Sequence, residues 1–129
     1  MAIPLRTLIV EDSEDDAALI VRELGRGGFD VSHLRVGSAR ALNAVLEASE
    51  WDIVISDYWM PGFSGAEALK ILRAKNSEVP FFYVSGTLGE ETAVAALRSG
   101  AQDCLIKGNL RRLVPAIERE LRDAEGRRV

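Results

Sequence analysis

The chain has 129 residues, 47% of them hydrophobic and 28% charged, with a formal net charge of −4. That length suits one domain, and the acidic balance argues against direct nucleic-acid binding, which needs clustered Lys and Arg to neutralise phosphates. The lone Cys104 excludes an internal disulfide or a Cys-rich zinc site, and no run approaches the roughly 18 apolar residues of a membrane span.

Leu5 to Val10 reads as a first strand that stops at Glu11-Asp12. Met1-Ala2-Ile3-Pro4 leads into it without a signal peptide, so a cytoplasmic location is expected. Ser13-Glu14-Asp15-Asp16 then offers an N-cap with an acid three residues on, and acids in a first turn suit the positive end of the helix dipole. Ala17, Leu19, Ile20 and Leu24 recur at helical spacing until Gly25-Arg26-Gly27-Gly28 breaks the pattern. This glycine cluster follows a helix instead of opening one, which makes it a C-cap and connector and not a phosphate-binding loop.

Phe29 to Val36 alternates as a second strand, with His33 read as a packed or surface residue. Ser38 to Ala48 forms a second helix carrying Ala41, Leu42, Val45 and Leu46 on one face. Ile53 to Ser56 is the third strand and stops at Asp57. A loop, Asp57-Tyr58-Trp59-Met60-Pro61-Gly62-Phe63, runs to Ser64, which caps a third helix containing Ala68, Leu69, Ile71 and Leu72. Pro80 introduces the fourth strand, Phe81 to Val84, which stops at Ser85-Gly86. A fourth helix spans about Gly89 to Ser99, with Gly100 as its stop. The fifth strand ends in Cys104-Leu105-Ile106, where Cys104 reads as a small buried hydrophobe, and stops at Lys107. A last helix covers about Leu110 to Ala124.

Five βα units in this length predict an α/β fold with a doubly wound parallel five-stranded sheet, strand order 2-1-3-4-5. Residues 1–129 are expected to form a single domain with no room for an attached output domain. In such a sheet ligands bind at the carboxyl ends of the strands. Glu11, Asp12, Asp57, Ser85 and Lys107 would all converge there. Taken singly, the acids read as solvated or capping residues, Lys107 as an exposed lysine and Ser85 as a loop hydroxyl. Their coincidence points further, because only Val36-Gly37 among the strand ends carries no such group.

Three carboxylates at one edge repel unless a cation or altered ionisation relieves them. Hard oxygen ligands with open positions suit Mg²⁺, which keeps several waters and accepts phosphate oxygens. Asp57 stands alone at its strand end, and a carboxylate can accept a phosphoryl group as an aspartyl-phosphate. Lys107 and the metal would offset charge on the phosphoryl oxygens, Ser85 would donate a hydrogen bond, and Gly86 leaves the approach open.

Glu11-Asp12, Asp57 followed by Met60-Pro61-Gly62 and Gly65, Ser85-Gly86 and Lys107 together resemble the receiver domain of bacterial two-component response regulators, over about Leu5 to Leu121. The resemblance implies the flavodoxin-like (βα)5 form of the sheet described above. It implies Asp57 as phosphoacceptor, supplied by a histidine kinase or histidine phosphotransfer protein. Asp12 and Asp57 would bind Mg²⁺, or another divalent cation such as Mn²⁺, directly, with the Trp59 backbone carbonyl as a further ligand and Glu11 acting through water. Ser85 and Lys107 would hold the phosphoryl group. The result would be a switch that catalyses its own phosphorylation and dephosphorylation and is not otherwise an enzyme. Movement of Ser85 and the loop after strand four would alter the face of helix four, strand five and helix five for a downstream target or output domain. A homodimer through that face is compatible with this.

Three departures stand out. Many relatives carry an aromatic switch residue where Cys104 stands and a proline, often cis, where Gly108 stands. A cis non-proline bond costs ~3 kcal/mol, so a trans bond is expected at Gly108. Trp59, two residues after Asp57, is expected to overhang the site and to restrict attacking water or a phosphatase; packing on the surface is its ordinary reading. A flavin-type cofactor binder would need a phosphate-cradling loop after the first strand, which Glu11-Asp12-Ser13-Glu14-Asp15-Asp16 opposes by charge. An aspartate-nucleophile phosphohydrolase fits poorly, since Asp12 is followed by Ser13 and Glu14. A receiver fold serving only as an interaction module stays open.

Overall fold

Strands that are apolar on both faces need a helical layer on each side, and this chain supplies both. In the computed structural model, residues 2–75, 77–86 and 89–127 are described, with the backbone alone for 124–127. In chain order the elements are β1 (Ile3–Val10), α1 (Glu14–Arg26), β2 (Phe29–Val36), α2 (Ala39–Ala48), β3 (Ile53–Ser56), β4 (Trp59–Met60), β5 (Phe63–Ser64), α3 (Gly65–Ala74), β6 (Phe81–Ser85), α4 (Glu90–Arg98), β7 (Asp103–Ile106) and α5 (Leu113–Arg127). The main sheet runs β2-β1-β3-β6-β7 with every pair parallel. With the two short strands set aside, this is the expected 2-1-3-4-5 order.

Strand alternation sorts the apolar residues into two cores. Leu5, Ile9, Ile53, Ile55, Phe82, Val84 and Leu105 face α1 and α5, packing on Ile20, Leu24, Leu113 and Ile117. Leu8, Val10, Val54, Phe81 and Tyr83 face α2, α3 and α4, packing on Leu42, Leu69, Leu72 and Ala96. Each such fully buried large side chain stabilises the fold by about 1.5–3 kcal/mol relative to exposure. Ser13, Ser38 and Ser64 each accept a bond from the backbone N–H three residues on, the capping geometry read from the sequence for the first and third helices.

Three boundaries differ from the sequence reading. The segment read as a plain loop after Asp57 contains a hairpin, with Trp59 opposite Ser64 and Met60 opposite Phe63. Pro61 and Gly62, the latter at φ 72°, supply the restricted and the left-handed positions that a tight turn needs. Helix α1 continues through Gly25 and Arg26, and the chain turns at Gly27 and at Gly28 with φ 96°. Helix α5 starts at Leu113, after a turn in which the Leu113 N–H bonds the Leu110 carbonyl. Pro115 falls in its first turn, where a missing N–H leaves no helical bond unmade. No cis peptide bond occurs among the described residues, in keeping with the expectation for Gly108.

Candidate functional site

Parallel register brings the carboxyl ends of the inner strands level. Val10 pairs with Ser56, Ser56 with Tyr83, and Ser85 with Ile106. Backbone bonds extend the order one residue past the strands: the Glu11 N–H donates to Val36 O at 2.9 Å, Asp57 N–H to Val10 O at 2.9 Å and Lys107 N–H to Ser85 O at 2.7 Å. The side chains of Glu11, Asp57 and Lys107 therefore start from a rigid sheet edge.

Glu11, Asp12 and Asp57 each offer a carboxylate oxygen, and these oxygens lie within 4.8 Å of one another. Lys107 enters the same group. Its Nζ donates to Glu11 Oε1 at 2.6 Å, Asp16 Oδ2 at 2.7 Å and Asp57 Oδ2 at 3.1 Å. Glu11 is 1% exposed and Asp57 9%, while Asp12 is exposed, so two of the acids are buried and the third faces solvent. Ser85 is buried at the end of β6, where its carbonyl oxygen accepts the Lys107 N–H. All five residues fall at this edge of the sheet; Glu11, Asp12, Asp57 and Lys107 cluster there by their side chains, and Ser85 ends the strand next to Lys107. The loop after Ser85-Gly86 falls at residues 87 and 88, outside the described residues. A side chain added at Gly86 itself would meet open space.

Ionisation follows from this packing. Burial pushes the Glu11 carboxyl up to about 8; the bond from Lys107 pulls it back, and the Asp57 and Asp16 carboxyls push it further up. Burial works against the Lys107 ammonium, but its bonds to Asp16, Glu11 and Asp57 outweigh burial and hold its pKa above the ordinary lysine value. The Lys107 bond holds Asp16 below the usual carboxylate range. Glu11 Oε2 is buried with no hydrogen-bond partner. A buried acceptor left unmatched costs about 1–3 kcal/mol, and a hard cation with its waters is the chemistry that would satisfy it. The donor set, three carboxylates open on one side, fits a divalent ion of the Mg²⁺ type.

Asp16 and Arg35 were not anticipated as site residues. Asp16 reads locally as the acid of a first helical turn, and its N–H is indeed capped by Ser13. Only the fold shows that its carboxylate reaches Lys107, 91 positions along the chain. Arg35 lies inside the alternating second strand, and it donates to the Glu11 carbonyl oxygen at 3.1 Å.

The Trp59 N–H donates to Asp57 Oδ1 at 3.4 Å. Its ring is 65% exposed and stands edge-on to Tyr58, with centroids 4.9 Å apart. Tyr58 in turn meets Tyr83 at 5.0 Å. Cys104 is half-buried and sits opposite Tyr83 across the β6–β7 pair, its Sγ 4.0 Å from the Ala93 carbonyl of α4. Gly65 lies where a Cβ would collide with the Asp57 carbonyl oxygen and come within 2.6 Å of the Tyr83 ring.

The family described as response regulator receiver domain matches residues 7–118. The chain belongs to that family. This receiver is 34% identical over 102 residues to the transcriptional regulatory protein PrrA of Mycobacterium tuberculosis, covering 79% of this chain and 43% of PrrA. It is 35% identical over 124 residues to the nitrogen assimilation regulatory protein NtrX of Azorhizobium caulinodans, covering 94% of this chain and 27% of NtrX. The chain thus spans less than half the length of these curated relatives. Among solved structures, the receiver domain of the histidine kinase CKI1 from Arabidopsis thaliana, complexed with Mg²⁺ and BeF3⁻, matches with a TM-score of 0.72 and 25% identity, covering 92% of this chain and 90% of that one. Family membership makes this a receiver of two-component signal transduction, a phosphoacceptor switch by class and not a conventional enzyme. Among the described residues no helix is long and apolar enough to cross a membrane.

Proposed function

We propose that this receiver accepts a phosphoryl group on Asp57 from a histidine kinase or histidine phosphotransfer protein and thereby changes a protein-interaction face. The observation that carries the reading is the convergence of Glu11, Asp12 and Asp57 at the sheet edge, with Lys107 paired to Glu11 and Asp57. Asp12, Asp57 and the Trp59 backbone carbonyl would hold Mg²⁺ or Mn²⁺, with Glu11 acting through water. Bound there, the ion supplies positive charge against the equatorial phosphoryl oxygens. The complex of the CKI1 receiver with Mg²⁺ and BeF3⁻ supports this assignment.

An Asp57 carboxylate oxygen forms the new P–O bond as the P–N bond to the donor imidazole breaks, and the electron pair leaves on that nitrogen. Lys107 exchanges carboxylate for phosphoryl oxygen, and the Ser85 hydroxyl donates to another. Hydrolysis by water reverses the modification on the same residues. Drawing Ser85 inward would bias two pre-existing arrangements of the β6–α4 region. The face so altered displays Val94 and Leu97 of α4 and Ile106 of β7, all exposed apolar residues suited to a downstream target, an output domain or a second copy. Residues 1–129 act in this reading as one receiver unit in the cytoplasm.

Intact mass after incubation with acetyl phosphate and Mg²⁺ tests the reading. A single phosphoryl adduct, lost in Asp57→Ala and in chelator, is expected. Folded wild-type protein that takes no adduct would leave an interaction module instead.

A further inference from the structure

The Glu11–Asp12 peptide is the only covalent link between two of the three clustered acids. Asp12 is exposed, and among the described hydrogen bonds its own side chain makes none. The orientation of that carboxylate therefore depends on how the peptide plane before it is held. The Glu11 N–H is tied to Val36 O at 2.9 Å, which fixes one side of Glu11. On the other side, Arg35 Nη1 donates to Glu11 O at 3.1 Å, and Arg35 is the one side chain bonded to that oxygen among the described residues.

Arg35 reaches it from β2, where it pairs in register with Ile9 on the face that carries α1. Its second nitrogen, Nη2, donates to Glu14 Oε1 at 3.4 Å in the first turn of α1. The guanidinium thus spans the loop from Glu11 to Glu14, gripping the backbone at one end and a side chain at the other. A planar fork suits this two-point hold, and a lysine ammonium does not. Glu14 also gives Arg35 a counter-charge of its own.

We infer that Arg35 is a positioning residue for the cation site, orienting Asp12 through the Glu11 carbonyl. The inference rests on the proposed function for its metal and makes a prediction opposite in sign to simple electrostatics. Removing a positive charge beside three carboxylates would tighten cation binding if charge alone mattered. If Arg35 acts by orientation, its removal weakens binding, as loss of an outer-shell partner does by roughly 10–100-fold.

The test is calorimetric titration of MgCl2 into wild type, Arg35→Ala and Arg35→Lys, each checked for folding by circular dichroism. About tenfold weaker binding for Arg35→Ala, with Arg35→Lys between the two, is expected. Equal or tighter binding by Arg35→Ala overturns the inference. A second readout needs no metal: in chelator, the Asp12 backbone amide resonance should shift and broaden in Arg35→Ala while those of Val54 and Phe82 stay in place. An unmoved Asp12 amide overturns the positioning role. Wild type that binds no Mg²⁺ would sink the proposed cation site, and the Asp12 amide would then decide the Arg35 role by itself.

Discussion

Lys107 Nζ lies 2.6 Å from Glu11 Oε1 across 96 positions of chain, and this one ammonium is shared by the carboxylates of Glu11, Asp16 and Asp57. Removing one partner of a buried ion pair leaves an uncompensated charge and costs about 3–5 kcal/mol. Lys107→Met should accordingly lower stability by about 3 kcal/mol in chelator at pH 8. Urea unfolding measures this, and added Mg²⁺ should return a large part of the loss. A variant as stable as wild type in chelator would show that the three carboxylates relax apart without their lysine.

Glu11 gives the pH dependence its sign. Its pKa stands near 8 in the folded protein against an unfolded value of 4.5, so the folded state binds this proton more tightly. Its contribution is therefore most favourable below the unfolded value and is lost as pH rises from about 4.5 to about 8. Lys107, whose pKa is also raised, lowers stability in the same direction but only above the ordinary lysine range, and Asp16 acts the opposite way only at acid pH, so neither masks the window. In chelator, denaturant midpoints should fall between pH 5 and 8, and Glu11→Gln should flatten the fall. Saturating Mg²⁺ should flatten it too, by favouring the ionised carboxylate. A wild-type midpoint that rises across this window would contradict the assignment of the buried proton to Glu11.

The sheet order and the five groups at its edge were legible because they depend on short-range pattern. Apolar runs such as Ile53-Val54-Ile55 can be covered only in a two-sided sheet, and the polar residue that ends each run must fall at the same edge. Asp16 and Arg35 were not legible for the same reason. Locally each has a sufficient ordinary role, a first-turn acid and a strand-edge cation, and only the β1–α1 loop folding back toward β2 and β7 gives them a second one. The hairpin of β4 and β5 escaped because two-residue strands leave no periodicity; Pro61-Gly62 was its sole signal. Helix α1 ran past Gly25 because that glycine costs only about 1 kcal/mol in a helix, less than the packing of Leu24 beside it returns.

Gly65 should be intolerant of any side chain. A Cβ there would strike the Asp57 backbone carbonyl and the Tyr83 ring, and the first of these cannot rotate away. Overpacking of this kind costs typically 1–3 kcal/mol. Here the displaced backbone also carries the proposed phosphoacceptor. Gly65→Ala is expected to lose about 2 kcal/mol of stability and most of its acetyl-phosphate labelling. Measured together by denaturation and intact mass, wild-type labelling in a folded Gly65→Ala protein would show that the Asp57 backbone has room to move.

Cys104 offers a reporter on the proposed switching face. Burial raises its thiol to about 11, the Asp103 carboxylate adds to this, and Arg112 opposes it. Against an ordinary value of 9.0 this leaves about a hundredfold less thiolate at pH 8. Alkylation by iodoacetamide should thus be slow near neutrality and climb toward pH 11. The thiol is also covered by the Ala93 turn of α4. If phosphoryl binding at Asp57 shifts α4 against β7, Mg²⁺ with BeF3⁻ should change the alkylation rate severalfold at fixed pH. The same addition should leave Asp57→Ala unaffected. An alkylation rate indifferent to BeF3⁻, in protein shown to bind it, would mean that this receiver signals without moving α4 across Cys104.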